Sequence, residues 1–419
     1  METRHLRLAA LAVLLAVAPL VSASTLQFVS LEEYPGAACV DGSPAGYYWE
    51  AAPFESPKST WIVYLEKGGW CYSEESCNSR CHLTPDLCST KTWESSVELH
   101  GIFNAKDLML RNANKVYLRY CTSDGHMGDA AAFGKEFRGA RVVEAVLTDL
   151  VQRRGLGQSF GKELLLFGGG SAGARGAMVH LDYVPGMLGT VAAKVDVVGF
   201  LDSPLWIDAQ PLGPGDSLPH QAQAVFKYAN VSHVGPECVA VHKNEDRWKC
   251  IFGEYRMPFV QAPYMLVAAQ YDEFQLMVNL PHVCPRSTQE KEFARDLASR
   301  TVQLDAAIQS PKHAVFSPAC YSHSTSLRDD GFAVQTSAGE TMEDALVKFL
   351  VPIRNQGTFA LFQDSATGKT ANTWVDSCSG MSCGSGCSAV SQAMCPDLSD
   401  QSAEPSSDRM ASVARHLRG

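Results

Sequence analysis

The pattern Gly-x-Ser-x-Gly occurs three times in the 419 residues, centred on Ser159, Ser171 and Ser382. A serine hydroxyl becomes a useful nucleophile only when the chain lifts it clear of its surroundings and sets it beside a base. A strand, a tight turn and a helix achieve this, the glycines letting the backbone bend where a Cβ would clash. Gly157-Gln158-Ser159-Phe160-Gly161 comes before a strand-like run, and Gly380-Met381-Ser382-Cys383-Gly384 lies in a cysteine-rich tail. Both read as loops. Gly169-Gly170-Ser171-Ala172-Gly173 follows the compact apolar run Glu163 to Phe167 and opens a helix-compatible stretch that Pro185-Gly186 stops. Small residues at 172, 173, 174, 176 and 177 let that helix pack closely on a sheet. Ser171 is the candidate nucleophile, against the plainer reading of a glycine-rich turn that only packs tightly.

The same turn has some features of a phosphate cradle. No Gly-Lys-Ser/Thr follows it, which excludes a P-loop. Gly168, Gly170 and Gly173 do satisfy Gly-x-Gly-x-x-Gly, and Asp196 is the acid that a dinucleotide-binding turn needs about twenty residues further on. Asp196 falls inside a strand-like run and not at its end, where a ribose would lie, so this rival is the weaker one.

A nucleophilic serine needs a base and an acid that orients the base. On a parallel sheet they follow in the order Ser, Asp or Glu, His, each on a loop at a strand's C-terminal end. Tyr264 to Ala269 reads as a strand and Gln270-Tyr271-Asp272-Glu273 comes straight after it, which makes Asp272 the acid and Glu273 the runner-up. The next strand-like run, His313 to Phe316, leads into Pro318-Ala319-Cys320-Tyr321-Ser322-His323, and His323 is the base. His282 has no strand between it and Asp272, His313 sits at a strand start and His416 lies in the tail. An oxyanion hole needs backbone N–H groups aimed at the developing charge. Ala172, just after the nucleophile, supplies one. The run Trp61 to Glu66 leads into Lys67-Gly68-Gly69-Trp70-Cys71, a glycine turn that supplies the others unless it is a plain β-turn, and Trp70 is placed to wall an acyl pocket.

The elements that must hold these residues are legible as a pattern. Strand-like runs at Trp61–Leu65, Lys115–Tyr120, Leu164–Phe167, Val195–Phe200, Tyr264–Ala269 and His313–Phe316 alternate with helical patterns at Arg141–Arg153, Ala172–Tyr183, Gln289–Ile308 and Thr341–Leu350. That alternation predicts a largely parallel α/β sheet. Hydrophobic residues make up 46% and charged residues 19%, a composition that supports one large core. The formal charge of -10 and the lack of a basic, aromatic-interleaved run exclude nucleic acid as a partner.

Arg4 and Arg7, the apolar stretch Leu8 to Val21 and the small residues Val21-Ser22-Ala23 read as a cleavable secretory leader over residues 1–23. The stretch is short for an uncleaved anchor, and no later run has the length to span a bilayer, so a soluble exported protein is expected. Fourteen cysteines, an even count, agree with an oxidising compartment. Cys77-x3-Cys81 and Cys383-x3-Cys387 have the spacing of zinc ligands, the competing reading; disulfides are preferred, with their pairing open. Asn230-Val231-Ser232 is a single glycosylation sequon. From Pro396 the chain is rich in Ser, Asp and Ala, and a disordered tail is expected over 396–419. The enzyme domain is then 24–395.

Leu65-Glu66-Lys67-Gly68-Gly69-Trp70-Cys71-Tyr72, with Cys77 and Arg80, resembles the glycine–tryptophan segment of the pectin acetylesterase and Notum family. So do Val116 to Cys121, Gly169 to Gly173, Gln270 to Leu276, Ala319 to His323 and the cysteine-rich end after Trp374-Val375-Asp376-Ser377-Cys378. The resemblance runs from about residue 27 to about residue 395. It implies an α/β-hydrolase fold and a triad of Ser171, Asp272 and His323 needing no metal or other cofactor. It also implies oxyanion donors at Gly69, Trp70 and Ala172, and hydrolysis of O-acyl esters outside the cell, the cell wall included. Lys67 and Arg175 depart from the family pattern, Arg175 standing where small residues are common. The expected substrate is an O-acetylated cell-wall polysaccharide such as pectin, with an acylated protein, deacylated by a Notum-like lipid esterase, as second choice. A catalytically inactive polysaccharide-binding protein on the same fold is the reading from another class.

Overall fold

A computed structural model describes residues 23–54, 59–308, 310–356, 372–391, 395 and 398. Apart from Ala23 and Leu398, the expected leader and tail lie outside these residues. Ten strands form the main sheet: β1 (Ser24–Ser30), β2 (Gly46–Glu50), β3 (Thr60–Leu65), β4 (Ser96–Leu99), β5 (Asn114–Leu118), β6 (Glu163–Gly170), β7 (Val195–Asp202), β8 (Tyr264–Val267), β9 (His313–Ser317) and β10 (Thr373–Val375). Their order is β10-β9-β8-β7-β6-β3-β5-β2-β1-β4. From β10 to β5 every pairing is parallel. From β5 outward through β2, β1 and β4 every pairing is antiparallel.

All six strands expected from the sequence are present, and they are the central ones. Every residue of β3, β6 and β8 is buried, because helices cover both faces of a parallel sheet and such strands read as unbroken apolar runs. Successive side chains alternate between two cores. Trp61, Val63 and Leu65 of β3 join Leu165 and Phe167 on one face, while Ile62 and Tyr64 join Leu164 and Leu166 on the other. The first face is covered by the helices Gly139–Asp149, Ala172–His180 and Leu218–Tyr228, the second by Met342–Gln356. The antiparallel edge escaped the sequence reading. Its strands are short or half-exposed, as the mixed burial of β1 and β4 shows, so no apolar run announces them. Pro185 ends the helix after Ser171 only indirectly. That helix stops at His180, passes through the tight turn Leu181–Tyr183, and Pro185 opens a new short helix, Val184–Leu188, where its missing N–H costs nothing.

All fourteen cysteines are paired, so the zinc reading is set aside. The pairs are Cys39–Cys121, Cys71–Cys77, Cys81–Cys88, Cys238–Cys250, Cys284–Cys395, Cys320–Cys387 and Cys378–Cys383. No helix among the described residues is long and apolar enough to cross a membrane. Asn230 is exposed, as a glycosylation site must be.

Candidate active site

β6 delivers Ser171 at the C-terminal edge of the sheet, between β3 and β7. Its backbone has φ 51 and ψ -113, a conformation that costs a non-glycine residue about 1–3 kcal/mol. Two hydrogen bonds hold the turn against that cost: Ser171 N–H donates to Asp202 O at 2.8 Å, and Ser171 O accepts from Arg175 N–H at 2.9 Å. Gly173 is required by close approach, since a Cβ there would lie 2.0 Å from Leu65 O of the neighbouring strand. The small residues after Ser171 thus let the helix start directly against the sheet.

Asp272 and His323 come together through a second, miniature sheet. Tyr271–Asp272 pairs in parallel with Tyr321–Ser322, Asp272 opposite Ser322, which puts His323 one residue beyond the acid. His323 Nδ1 lies 2.7 Å from Asp272 Oδ2, and His323 Nε2 lies 2.7 Å from Ser171 Oγ. The other carboxylate oxygen of Asp272 accepts from Gln275 N–H at 2.9 Å, capping the helix Glu273–Asn279, so the acid cannot rotate away without uncapping a helix. All three side chains are nearly buried, where hydrogen bonds to charge are stronger than in water.

The alternatives go elsewhere. Asp272, not Glu273, meets the imidazole. His282 pairs with Glu290 at 2.7 Å, and His313 meets Ile308 O at 3.0 Å and stacks on Tyr264. His416 lies outside the described residues. Asp196 sits near the start of β7 and pairs with Lys162 at 2.7 Å, at the opposite end of the strand from the glycine turn, which removes the dinucleotide reading. Among the described residues no cluster of three or more His, Cys, Asp or Glu is arranged to hold a metal.

The loop after β3 is held in a way that exposes amides. Arg80 donates to Gly68 O, and Tyr120 O–H donates to Gly69 O at 3.0 Å. In a planar trans peptide the C=O and the following N–H point opposite ways. Tying back the carbonyls of Gly68 and Gly69 therefore turns the N–H groups of Gly69 and Trp70 to the other side. Gly69 has φ 69, which explains the glycine. Arg80 is fixed in turn by a 2.8 Å bond from Nε to Ser123 Oγ, and Tyr120 OH accepts from Gly125 N–H at 2.5 Å. The disulfides Cys71–Cys77 and Cys81–Cys88 pin the segment that carries Arg80. Arg80 and Tyr120 lie within the motifs quoted above, but no spacing rule assigns them this task.

Beneath the loop is an arrangement the sequence reading did not anticipate. The Arg175 side chain is fully buried, and none of its three nitrogens has a hydrogen-bond acceptor. Its guanidinium lies 3.5 Å from the ring centre of Trp206 and 4.7 Å from that of Trp70. Burial pushes Arg175 down to about 9, with the nearby Tyr120 and Asp272 pulling it back up, so it is still a cation at neutral pH. Two desolvated cation–π contacts stabilise by about 2 kcal/mol each, and burying an ion costs several kcal/mol, so the residue gives the fold little net stability.

The sequence profile of the pectinacetylesterase family matches residues 19–366. The chain belongs to that family. The palmitoleoyl-protein carboxylesterase NOTUM of Mus musculus is 30% identical over 329 residues, covering 74% of this chain and 62% of that protein. The Homo sapiens enzyme of the same name is 30% identical over 330 residues, covering 74% of this chain and 63% of that protein. The chain thus spans less than two thirds of the length of these relatives. The structure of the Wnt deacylase Notum from Drosophila superposes with a TM-score of 0.74 over 87% of this chain and 99% of that one. At 23% identity that likeness speaks for the fold, and the pectinacetylesterase chain has the α/β-hydrolase architecture expected of it.

Proposed function

We propose that the protein is a secreted serine carboxylesterase, with its esterase domain at residues 24–395, Ser171 as nucleophile, His323 as base and Asp272 as the orienting acid. The observation that carries this reading is the unbroken chain of contacts from Ser171 Oγ to His323 to Asp272, each link 2.7 Å, at a strained turn. His323 takes the Ser171 proton as Oγ attacks the ester carbonyl, and Asp272 stabilises the imidazolium. The amides of Gly69, Trp70 and Ala172 hold the oxyanion. The C–O bond to the alcohol breaks as His323 returns the proton to the leaving oxygen. Water, deprotonated by His323, then cleaves the acyl-enzyme. Arg80 and Tyr120 act by positioning the donor loop.

The preferred substrate is an O-acetyl ester of a cell-wall polysaccharide such as pectin, supported by the family to which the chain belongs. The second reading, removal of a fatty acyl group from a protein, is favoured by the likeness to the palmitoleoyl-protein carboxylesterases of Mus musculus and Homo sapiens. The inactive binding-protein reading is disfavoured by the complete triad geometry. The deciding experiment is hydrolysis of p-nitrophenyl esters from acetate to palmitate by the secreted protein, with Ser171→Ala in parallel. Ser171-dependent cleavage greatest on acetate supports the acetylesterase, and a medium-chain optimum supports the lipid esterase. Fluorophosphonate labelling that fails on the wild-type protein would sink both.

A further inference from the structure

We infer that Arg175 sets the acyl-chain length this site accepts, filling together with Trp206 the space into which a longer chain would extend. The inference rests on the reading of Ser171 as nucleophile and of Gly69, Trp70 and Ala172 as oxyanion donors.

Arg175 follows Ser171 by four residues on the helix Ala172–His180, and residues four apart share a helix face. Side chains lean toward a helix's N-terminus, so the Arg175 stem rises back toward the Ser171 end. Its guanidinium ends between Trp70, whose backbone belongs to the donor loop, and Trp206. From there the wall is continuous. Trp206 meets Trp70 edge to face at 4.9 Å and stacks on Phe274 at 5.8 Å, and Phe274 stacks on His323 at 5.3 Å. Arg175 and the aromatic rings therefore link the oxyanion loop to the base. An ester carbonyl seated on the three amides has its acyl tail facing that wall.

Arg175 is the member of the wall that nothing else explains. It forms no ion pair or side-chain hydrogen bond, and its nitrogens meet no solvent, so no water-sized void lies beside it. A guanidinium held so tightly without partners acts here through its volume. Interiors packed to this density do not admit extra methylenes without displacing a side chain. An acetyl methyl asks for the least room of any acyl tail, whereas a longer tail must push out Arg175 or Trp206.

The test uses the full secreted chain and compares kcat/KM on p-nitrophenyl acetate, butyrate and octanoate for wild type, Arg175→Ala and Arg175→Met. The readout is the octanoate-to-acetate ratio, which does not depend on any general loss of turnover. Wild type is expected to favour acetate over octanoate by about 100-fold or more, and Arg175→Ala to raise the octanoate share by about 10-fold or more. Arg175→Met removes the charge while keeping most of the side chain's volume, and should leave the ratio within about 3-fold of wild type. Wild type cleaving octanoate as well as acetate overturns the inference, as does an unchanged ratio in Arg175→Ala. A shift in Arg175→Met as large as in Arg175→Ala overturns it too, because charge and not volume would then be responsible. If Arg175→Ala is not secreted in folded form, Arg175→Thr shortens the side chain in its place under the same criteria. Loss of the underlying reading looks different: no ester of any length would be cleaved in a Ser171-dependent way, and the inference would fall with it.

Discussion

Ser171, Asp272 and His323 differ in what each loses on substitution. Removing the hydroxyl in Ser171→Ala leaves the strained turn and its backbone bonds in place, so folding and secretion should persist while kcat falls by about 10^4-fold or more. Asp272→Asn keeps an acceptor for the Gln275 amide, and so the helix cap, but presents an uncharged group to the imidazole. A kcat loss on the order of 10^4-fold with a nearly unchanged Tm is expected; a large Tm drop would mean the acid is chiefly structural. Arg175 makes the opposite prediction for stability. Replacing an unpaired buried cation by an apolar side chain of similar volume commonly stabilises, so Arg175→Met should melt at the same or a higher temperature than wild type. A clear fall in Tm would show that its two cation–π contacts outweigh its desolvation.

Elements, more than single residues, set the geometry of the donor loop and of the base. In the proposed oxyanion hole the Gly68–Trp70 turn contributes amides because Arg80 and Tyr120 hold its carbonyls on the far side. Tyr120→Phe removes one of these clamps with little change in volume, and kcat should fall by about 10- to 100-fold with KM little changed. An equal effect on KM alone would mean that the loop binds substrate and not the transition state. On the other flank, Cys320–Cys387 ties the segment leading to His323 to the C-terminal cysteine-rich region across 67 residues. Opening it with Cys320→Ala and Cys387→Ala together should cost roughly 2–5 kcal/mol of stability, read as a lower denaturant midpoint.

Over the whole molecule, the sheet and its helices bury titratable groups that make stability depend on pH. Asp305, on the helix Thr288–Ala307, is fully buried, which pushes its carboxyl from 3.8 up to about 7, the nearby Ser317 hydroxyl pulling it partly back. A raised folded-state value means that the folded form holds the proton more tightly, a contribution to stability that shrinks once the unfolded carboxyl ionises and the folded one does not. That contribution is complete below the unfolded value and is lost as pH rises through the folded one. Asp305→Asn should therefore raise Tm at pH 8, on the order of 2–4 °C, with the difference shrinking toward pH 4. Equal gains at both pH values would exclude ionisation as the cause.

The sequence by itself determined the elements whose signal is local. Buried parallel strands are unbroken apolar runs, so the six central strands were legible. The proposed triad could be put forward because an α/β sheet brings the ends of its strands to one edge, which turns chain order into spatial order. Ser171 was separable from Ser159 and Ser382 because a strand before and a helix after are local facts. The antiparallel edge, the pairing of fourteen cysteines, the pairing of Tyr271–Asp272 with Tyr321–Ser322 and the carbonyl clamps of Arg80 and Tyr120 depend on residues distant in the chain. Only the tertiary structure decided them. Arg175 shows the difference most plainly: in the sequence it is a charged residue at a position where small ones are common, and only the packing of Trp70 and Trp206 around it turns it into part of the site's wall.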